Sequence, residues 1–280
     1  MSTGEHERRG RASILDFLEM KRRGERIVAI TAYDVLFARV VEEAGVDLIL
    51  VGDSLGQVVL GYDSTLPVTL DEMIHHARAV RRGAPETFVV LDLPFMSYQV
   101  GPQDALRSAG QAMKEAGVEA VKLEGGDPRT CETVNALVTA GIPVMGHLGL
   151  TPQSVHALGG YRVQGRKEEE ATRLKEAALA LEKAGAFALV LELVPASLAE
   201  EVSDSLTIPT IGIGAGAGCD GQVLVLYDAL GLNPGFAPRF LKRFADLHGA
   251  ALEGISRYAR EVREGSYPGP EHSFGSGGDA

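Results

Sequence analysis

Tryptophan is absent from these 280 residues and aromatic residues make up only 6% of them, so aliphatic side chains must fill the core. Cysteine is nearly absent too. The two present, Cys131 and Cys219, do not form a metal-ligand spacing. So few thiols fit a reduced, cytoplasmic protein better than a disulfide-stapled secreted one. No run approaches the ~18 consecutive apolar residues of a membrane span. The polar start, Met1 to Gly10, lacks the apolar stretch of a signal peptide. Positive charge is in deficit, with 27 Lys and Arg against 38 Asp and Glu and a net charge of −11. Such a chain repels phosphate backbones, which argues against nucleic-acid binding. An anionic ligand must instead meet a metal or locally placed cations.

What is present reads as globular: 45% of residues are hydrophobic and 23% charged. At roughly 150 residues per domain the length is nominally two domains, but α/β barrels often run 200–250 residues as one. No linker-like stretch interrupts the middle. The expectation is a single catalytic barrel over residues 12–264, with a polar leader over 1–11 and a Gly/Ser-rich tail over 265–280. Near-continuous apolar runs predict strands at Ile27–Thr31, Leu48–Gly52, Phe88–Leu93, Ala120–Leu123, Val144–Leu148, Ala188–Leu193, Thr210–Ile213 and Val223–Tyr227. Parallel strands covered on both faces have this character.

One element recurs. Glu43-Ala-Gly-Val46, Glu115-Ala-Gly-Val118 and Lys183-Ala-Gly-Ala186 each precede an apolar strand that finishes on a carboxylate. A left-handed helix C-cap explains the glycines. It does not explain the acids. Strands alternating with helices suggest a (β/α)8 TIM barrel, with a doubly wound open sheet as the rival. In a barrel the polar residues ending the strands converge on one mouth. Those residues are Asp53 with Ser54, Asp92, Lys122 with Glu124, His147 and Glu192.

Asp53, Asp92 and Glu124 are hard oxygen donors without cysteine partners, a set that suits Mg²⁺. For any one of them the plain alternative is a helix cap, and Asp53 stands where a cap would. Lys122 and Glu124 alternate along one strand and so point to one side. Lys122 is read as the cation for a carboxylate substrate; the alternative is a salt bridge to a neighbouring acid. Glu192 has leucine neighbours that would desolvate it, as suits a general base, but a structural acid fits equally well. His147 is a hydrogen-bond donor to a bound oxygen if it joins the site, and a core histidine if not. The glycine run Ile211–Gly218 formally fits a dinucleotide fingerprint, but a strand-like stretch follows it where a helix should begin.

Taken with these residues, several ordered segments resemble the ketopantoate hydroxymethyltransferase family. They are Thr31-Ala-Tyr-Asp34, Leu50-Val-Gly-Asp-Ser-Leu-Gly56, Gly61-Tyr-Asp-Ser-Thr-Leu-Pro-Val68, Arg81-Arg-Gly-Ala84 and Asp92-Leu-Pro-Phe-Met96. Further on come Val121-Lys-Leu-Glu-Gly-Gly126, Gly146-His-Leu-Gly-Leu-Thr-Pro-Gln153, Gly160-Tyr-Arg-Val-Gln-Gly165, Ile211-Gly-Ile-Gly-Ala-Gly216, Tyr267-Pro-Gly269 and Glu271-His-Ser-Phe274. The resemblance runs from about Ile14 to Phe274. It departs at Ala217-Gly-Cys219, where more polar residues are expected.

The resemblance implies a Mg²⁺-dependent enzyme of pantothenate and coenzyme A biosynthesis. It would move a hydroxymethyl group from 5,10-methylenetetrahydrofolate to the 2-oxo acid 3-methyl-2-oxobutanoate, through a Mg-stabilised enolate, giving 2-dehydropantoate. It places the metal on Asp53 and Asp92, with Glu124 acting at least partly through water. Asp53, Ser54, Asp92 and Lys122 would bind the oxo acid, and His147 would line the same pocket. Glu192 matches the catalytic base. A homo-oligomer, a decamer in relatives, is implied as well. Two rivals are a Mg-dependent carbon–carbon lyase of the isocitrate-lyase type and a non-catalytic 2-oxo-acid sensor. The first carries a Lys-x-Cys-Gly loop that this chain lacks, and the second has no need of a base.

Overall fold

A computed structural model describes residues 11–274. The expected leader, Arg11 apart, and the last six residues of the expected tail lie outside the described residues. The chain divides into two compact units, Met1–Leu226 and Tyr227–Ala280.

The first unit is a closed barrel of parallel strands in the order β1 to β8. They are β1 (Ile27–Thr31), β2 (Leu48–Val51), β3 (Phe88–Asp92), β4 (Ala120–Glu124), β5 (Val144–Gly149), β6 (Ala188–Glu192), β7 (Thr210–Ile213) and β8 (Gly221–Leu224). The helices in chain order are α1 (Ile14–Arg23), α2 (Val35–Glu43), α3 (Leu55–Val58), α4 (Leu70–Gly83), α5 (Pro102–Ala116), α6 (Pro128–Thr139), α7 (Val155–Leu158), α8 (Glu168–Ala184), α9 (Ala196–Ser205), α10 (Leu226–Ala229) and α11 (Leu247–Glu264). The fold expectation, a (β/α)8 barrel rather than an open sheet, is what the strand order shows. Among the described residues no helix is long and apolar enough to cross a membrane.

Local chemistry sets the helix boundaries. The Asp34 carboxylate accepts the Leu36 and Phe37 N–H groups at the start of α2, and Thr69 with Glu72 closes a capping box on α4. The recurring αβ turn behaves as its glycines suggest, since Gly45, Gly117 and Gly185 all have positive φ.

Side chains alternate between the barrel interior and the helical layer. Leu48 and Leu50, Phe88 and Val90, Ala120, Met145, Ala188 and Val190 belong to one buried interior cluster. Phe17 of α1 joins that cluster and meets Phe88 edge-on, with ring centroids 5.1 Å apart. With so few aromatic residues available, this group gathers Phe17, Phe88 and Phe187 in one place. Filling the barrel in this way leaves polar residues for the far strand ends.

Strand β8 departs from expectation. The apolar run Val223–Tyr227 predicted it, but the strand spans Gly221–Leu224. Gly221 pairs in register with Ile27 so closely that a Cβ would meet the Ile27 carbonyl. The strand therefore begins at a residue with no apolar side chain to announce it. At its other end the chain turns where the Leu226 N–H donates to Thr31 Oγ1 at 3.0 Å.

In the second unit α11 is capped by Asp246, which accepts the Gly249 N–H at 3.0 Å. Tyr258 and Tyr267 pack edge-on there, with centroids 5.6 Å apart.

Candidate active site

Strand parity determines which polar residues enter the barrel. Because Phe88 and Val90 point inward, Asp92 does too; the same count from Ala120 carries Lys122 and Glu124 inward. From Met145 it carries His147, and from Ala188 and Val190 it carries Glu192. Register aligns Asp92 with Lys122, Glu124 with His147, and Gly149 with Glu192. Asp53 follows β2 by two residues and completes the group. Asp53, Asp92, Lys122, Glu124 and His147 are all buried.

The contacts link these residues into one network. Lys122 Nζ donates to Asp92 Oδ1 at 2.5 Å, and the Asp53 N–H donates to Asp92 Oδ2 at 3.1 Å. The salt-bridge alternative for Lys122 is thus present in the structure, with Asp92 as the partner. Asp53 does not use its carboxylate as a helix cap. Its Oδ2 accepts from Gln153 Nε2 at 2.9 Å, while the Gln153 backbone N–H donates to Glu124 Oε2 at 3.0 Å. Ser54 Oγ lies 2.9 Å from the Tyr33 hydroxyl.

His147 stands between two acids, with Nδ1 3.5 Å from Glu124 Oε1 and Nε2 3.3 Å from Glu192 Oε2. Neither contact has the geometry of a good hydrogen bond, so both are ion-pair contacts. Both ring nitrogens of His147, expected as a donor to a bound oxygen, face carboxylates. Glu192 is less enclosed than its leucine neighbours suggested, with its side chain 18% exposed against 3% for His147 and Glu124. The backbone around it is tight. Leu193 adopts φ 47°, an uncommon conformation for a residue with a Cβ, and at Gly149 a Cβ would strike the Glu192 carbonyl.

Gln153, Tyr98 and Gln99 join the site although the sequence reading gave them no role in it. Gln153 Oε1 accepts from Tyr98 Oη and from Gln99 Nε2, each at 2.9 Å. Tyr98 Oη in turn accepts the Glu124 N–H at 3.0 Å. Burial and the Glu124 charge hold the Tyr98 phenol well above its usual range, so it remains a neutral link.

Negative charge is in excess here. Burial pushes the Asp53 carboxyl up to about 8, and repulsion from Asp92 and Glu124 adds to the shift. Burial and Lys122 work against a charged His147, but Glu124 and Glu192 outweigh them and raise it to about 9. Burial also opposes the Lys122 charge, yet Asp92, Glu124 and Asp53 keep its ammonium protonated. Four carboxyl groups thus face two cations.

Among the described residues no group of three or more His, Cys, Asp or Glu side chains is arranged to hold a metal by itself. Mg²⁺ does not require one, because it keeps several waters and binds through one or two carboxylates. Asp53 fits that use. It is a hard donor whose burial and acidic neighbours favour the protonated form, a shift that a divalent cation would oppose. Asp92 and Glu124 already accept hydrogen bonds, but each carboxylate oxygen has a second lone pair.

Comparison with known proteins identifies the family. The model of a family described as ketopantoate hydroxymethyltransferase matches residues 11–270. The 3-methyl-2-oxobutanoate hydroxymethyltransferase of Heliobacterium modesticaldum is 60% identical over 257 residues, covering 92% of this chain and 93% of its own. That of Nitratidesulfovibrio vulgaris strain DP4 is 61% identical over 251 residues, covering 90% and 81%. Among solved structures, 2,3-dimethylmalate lyase, a PEP mutase/isocitrate lyase superfamily member, superposes with TM-score 0.58 at 20% identity, covering 94% of this chain and 92% of its own. Phosphonopyruvate hydrolase in complex with oxalate and Mg²⁺ gives TM-score 0.58 at 14% identity, covering 92% of each chain. At these identities the two structures speak for the fold alone. The family match over most of the chain and the relatives' high identity carry more: the chain is a transferase and belongs to the ketopantoate hydroxymethyltransferase family.

Proposed function

We propose that the chain transfers a hydroxymethyl group from 5,10-methylenetetrahydrofolate to 3-methyl-2-oxobutanoate, forming 2-dehydropantoate in pantothenate biosynthesis. Mg²⁺ is held among Asp53, Asp92 and Glu124. Family membership supports the reaction. The observation that carries the site assignment is the surplus of buried carboxylates around Asp53, with Lys122 beneath and Glu192 at the more open edge.

Bound there, Mg²⁺ supplies Lewis-acid polarisation of the oxo acid's carbonyl and offsets the charge that develops on its oxygen. Glu192 takes the proton from C3 of the oxo acid. It is the one acid of the group that combines an inward position with partial exposure. His147, charged at neutral pH, holds Glu192 on one side and Glu124 on the other. Lys122 and Ser54 orient the substrate carboxylate, and Asp92 fixes the ammonium of Lys122. C3 then forms its bond to the methylene carbon of the folate. Water supplies the hydroxyl oxygen, and tetrahydrofolate leaves.

The same reading includes a cytoplasmic location and self-association. Helix α11 keeps Leu252, Ile255 and Val262 exposed, apolar side chains of the kind a second copy would cover. Mixing 3-methyl-2-oxobutanoate, 5,10-methylenetetrahydrofolate and Mg²⁺ with the protein is expected to yield 2-dehydropantoate. No product at saturating metal overturns the proposal.

A further inference from the structure

The segment between α7 and α8 runs beside the residues that follow Glu192. Gln164 donates its backbone N–H to the Leu193 carbonyl at 2.8 Å, which ties this segment to the end of β6. A cleft of about 490 Å³ opens there, lined by Tyr161, Arg162, Val163, Arg166, Lys167 and Glu170. Its charge opposes that of the chain as a whole. Glu170 lies 3.8 Å from Lys167, whereas neither Arg162 nor Arg166 has a carboxylate partner among the described residues. Tyr161 is 53% exposed. Burial raises its phenol above the usual range, and the charges of Glu192, Asp53 and Glu124 add to the shift. The Gln164–Leu193 hydrogen bond therefore sets the cleft beside the strand end that carries Glu192.

We propose that this cleft receives the tail of the folate co-substrate, Arg162 and Arg166 pairing with its glutamate carboxylates and Tyr161 lying against its aminobenzoyl ring. The inference rests on the reading above, in which a methylene-bearing folate is the donor. The reactive carbon of that donor must reach C3 of the oxo acid, so its ring system occupies the mouth and its tail leaves along one wall. The mouth itself offers such a tail no uncommitted cation. Lys122 is engaged by Asp92, and His147 stands between Glu124 and Glu192. The arginine-lined cleft offers the matching charge, with guanidinium forks that suit carboxylates bidentately. A flat tyrosine face suits an aromatic ring.

The test compares two donors on the Mg²⁺-loaded protein with 3-methyl-2-oxobutanoate. They are 5,10-methylenetetrahydrofolate and 5,10-methylenetetrahydropteroate, which lacks the glutamate. For the unaltered chain, KM for the glutamate-bearing donor is expected to be about tenfold lower, the scale of one charge-assisted hydrogen bond. The gap should narrow as salt screens the exposed arginines. In the double variant Arg162→Ala/Arg166→Ala the gap closes, while KM for the oxo acid holds. Arg162→Lys/Arg166→Lys retains charge without the forks and is expected to keep part of the gap, which guards against a folding defect. A full gap in the alanine variant, or no gap in the unaltered chain, overturns the proposal. Product formation by the unaltered chain separates the two failures. If 2-dehydropantoate forms with both donors at equal KM, only the cleft assignment falls; if neither donor yields product, the proposed function falls with it.

Discussion

The side-chain amide of Gln153 reaches Asp53 at 2.9 Å, joining residues 100 positions apart, and the same nitrogen donates to the Leu93 carbonyl at 3.0 Å. Gln153 also holds Glu124 through its backbone N–H. Two of the three acids assigned to Mg²⁺ thus take their orientation from one residue. Outer residues of this kind typically contribute 10–100-fold to metal affinity. Gln153→Leu is therefore predicted to weaken Mg²⁺ binding by at least about tenfold, as read by calorimetric titration without turnover. Unchanged affinity in a folded variant would show that the Gln153 amide does not orient Asp53 for the metal.

Removing the metal should expose the charge surplus. Asp53 rises from 3.8 to about 8 in the fold, so the fold favours its protonated form. The stability this lends is complete below pH 3.8 and is lost as pH climbs through about 8. Metal-free protein is predicted to lose thermal stability between pH 6 and pH 8, and Mg²⁺ to stabilise it more at the upper end. Binding at pH 7 should release about one proton, measurable by calorimetry in two buffers of different ionisation enthalpy. Proton-neutral binding at pH 7 would contradict the assignment of Asp53.

Strand positions were legible because parallel strands covered on both faces leave long apolar runs, and parity then fixed which acids enter the barrel. Asp92, Lys122, Glu124, His147 and Glu192 follow from that count. Strand β8 was misread because its first residues, Gly221 and Gln222, carry no apolar signal while Leu226 and Tyr227, beyond its end, do. Gln153 and Tyr98 lay out of reach for another reason. Both belong to segments that follow strands, where the path of the chain decides what a side chain touches. A neutral amide and a phenol also lack the charge that singled out the acids. The enclosure expected of Glu192 was overstated, since its leucine neighbours face away from the interior it enters.

Glu192 is predicted to be the group that removes the C3 proton. Glu192→Gln preserves shape and hydrogen bonding but has no basic oxygen. Deuterium exchange at C3 of 3-methyl-2-oxobutanoate, measured with Mg²⁺ and without folate, should fall by roughly 10²–10⁴-fold, the usual contribution of a positioned base. Binding of the oxo acid should change far less. Normal exchange in this variant would remove Glu192 from the role.

His147 supplies the second cation in a cluster of four acids, and it lies within 3.5 Å of two of them. The fold favours its ionised form, raising it from 6.5 to about 9. Its contribution to stability is therefore complete below about pH 6.5 and is lost as pH rises through about 9. His147→Leu leaves Glu124 and Glu192 without that charge, a kind of change that costs about 3–5 kcal/mol for buried pairs. At pH 6 the metal-free variant is predicted to melt several degrees below the unaltered chain, at roughly 2–4 °C per kcal/mol for a domain of this size. Partial exposure of Glu192 places the loss toward the lower end. The difference should narrow steadily between pH 7 and pH 9.5, because the histidine then gives up its charge in the unaltered chain too. A difference independent of pH would mean that His147 acts by packing alone, and that Glu192 is oriented by the strained turn at Leu193 instead.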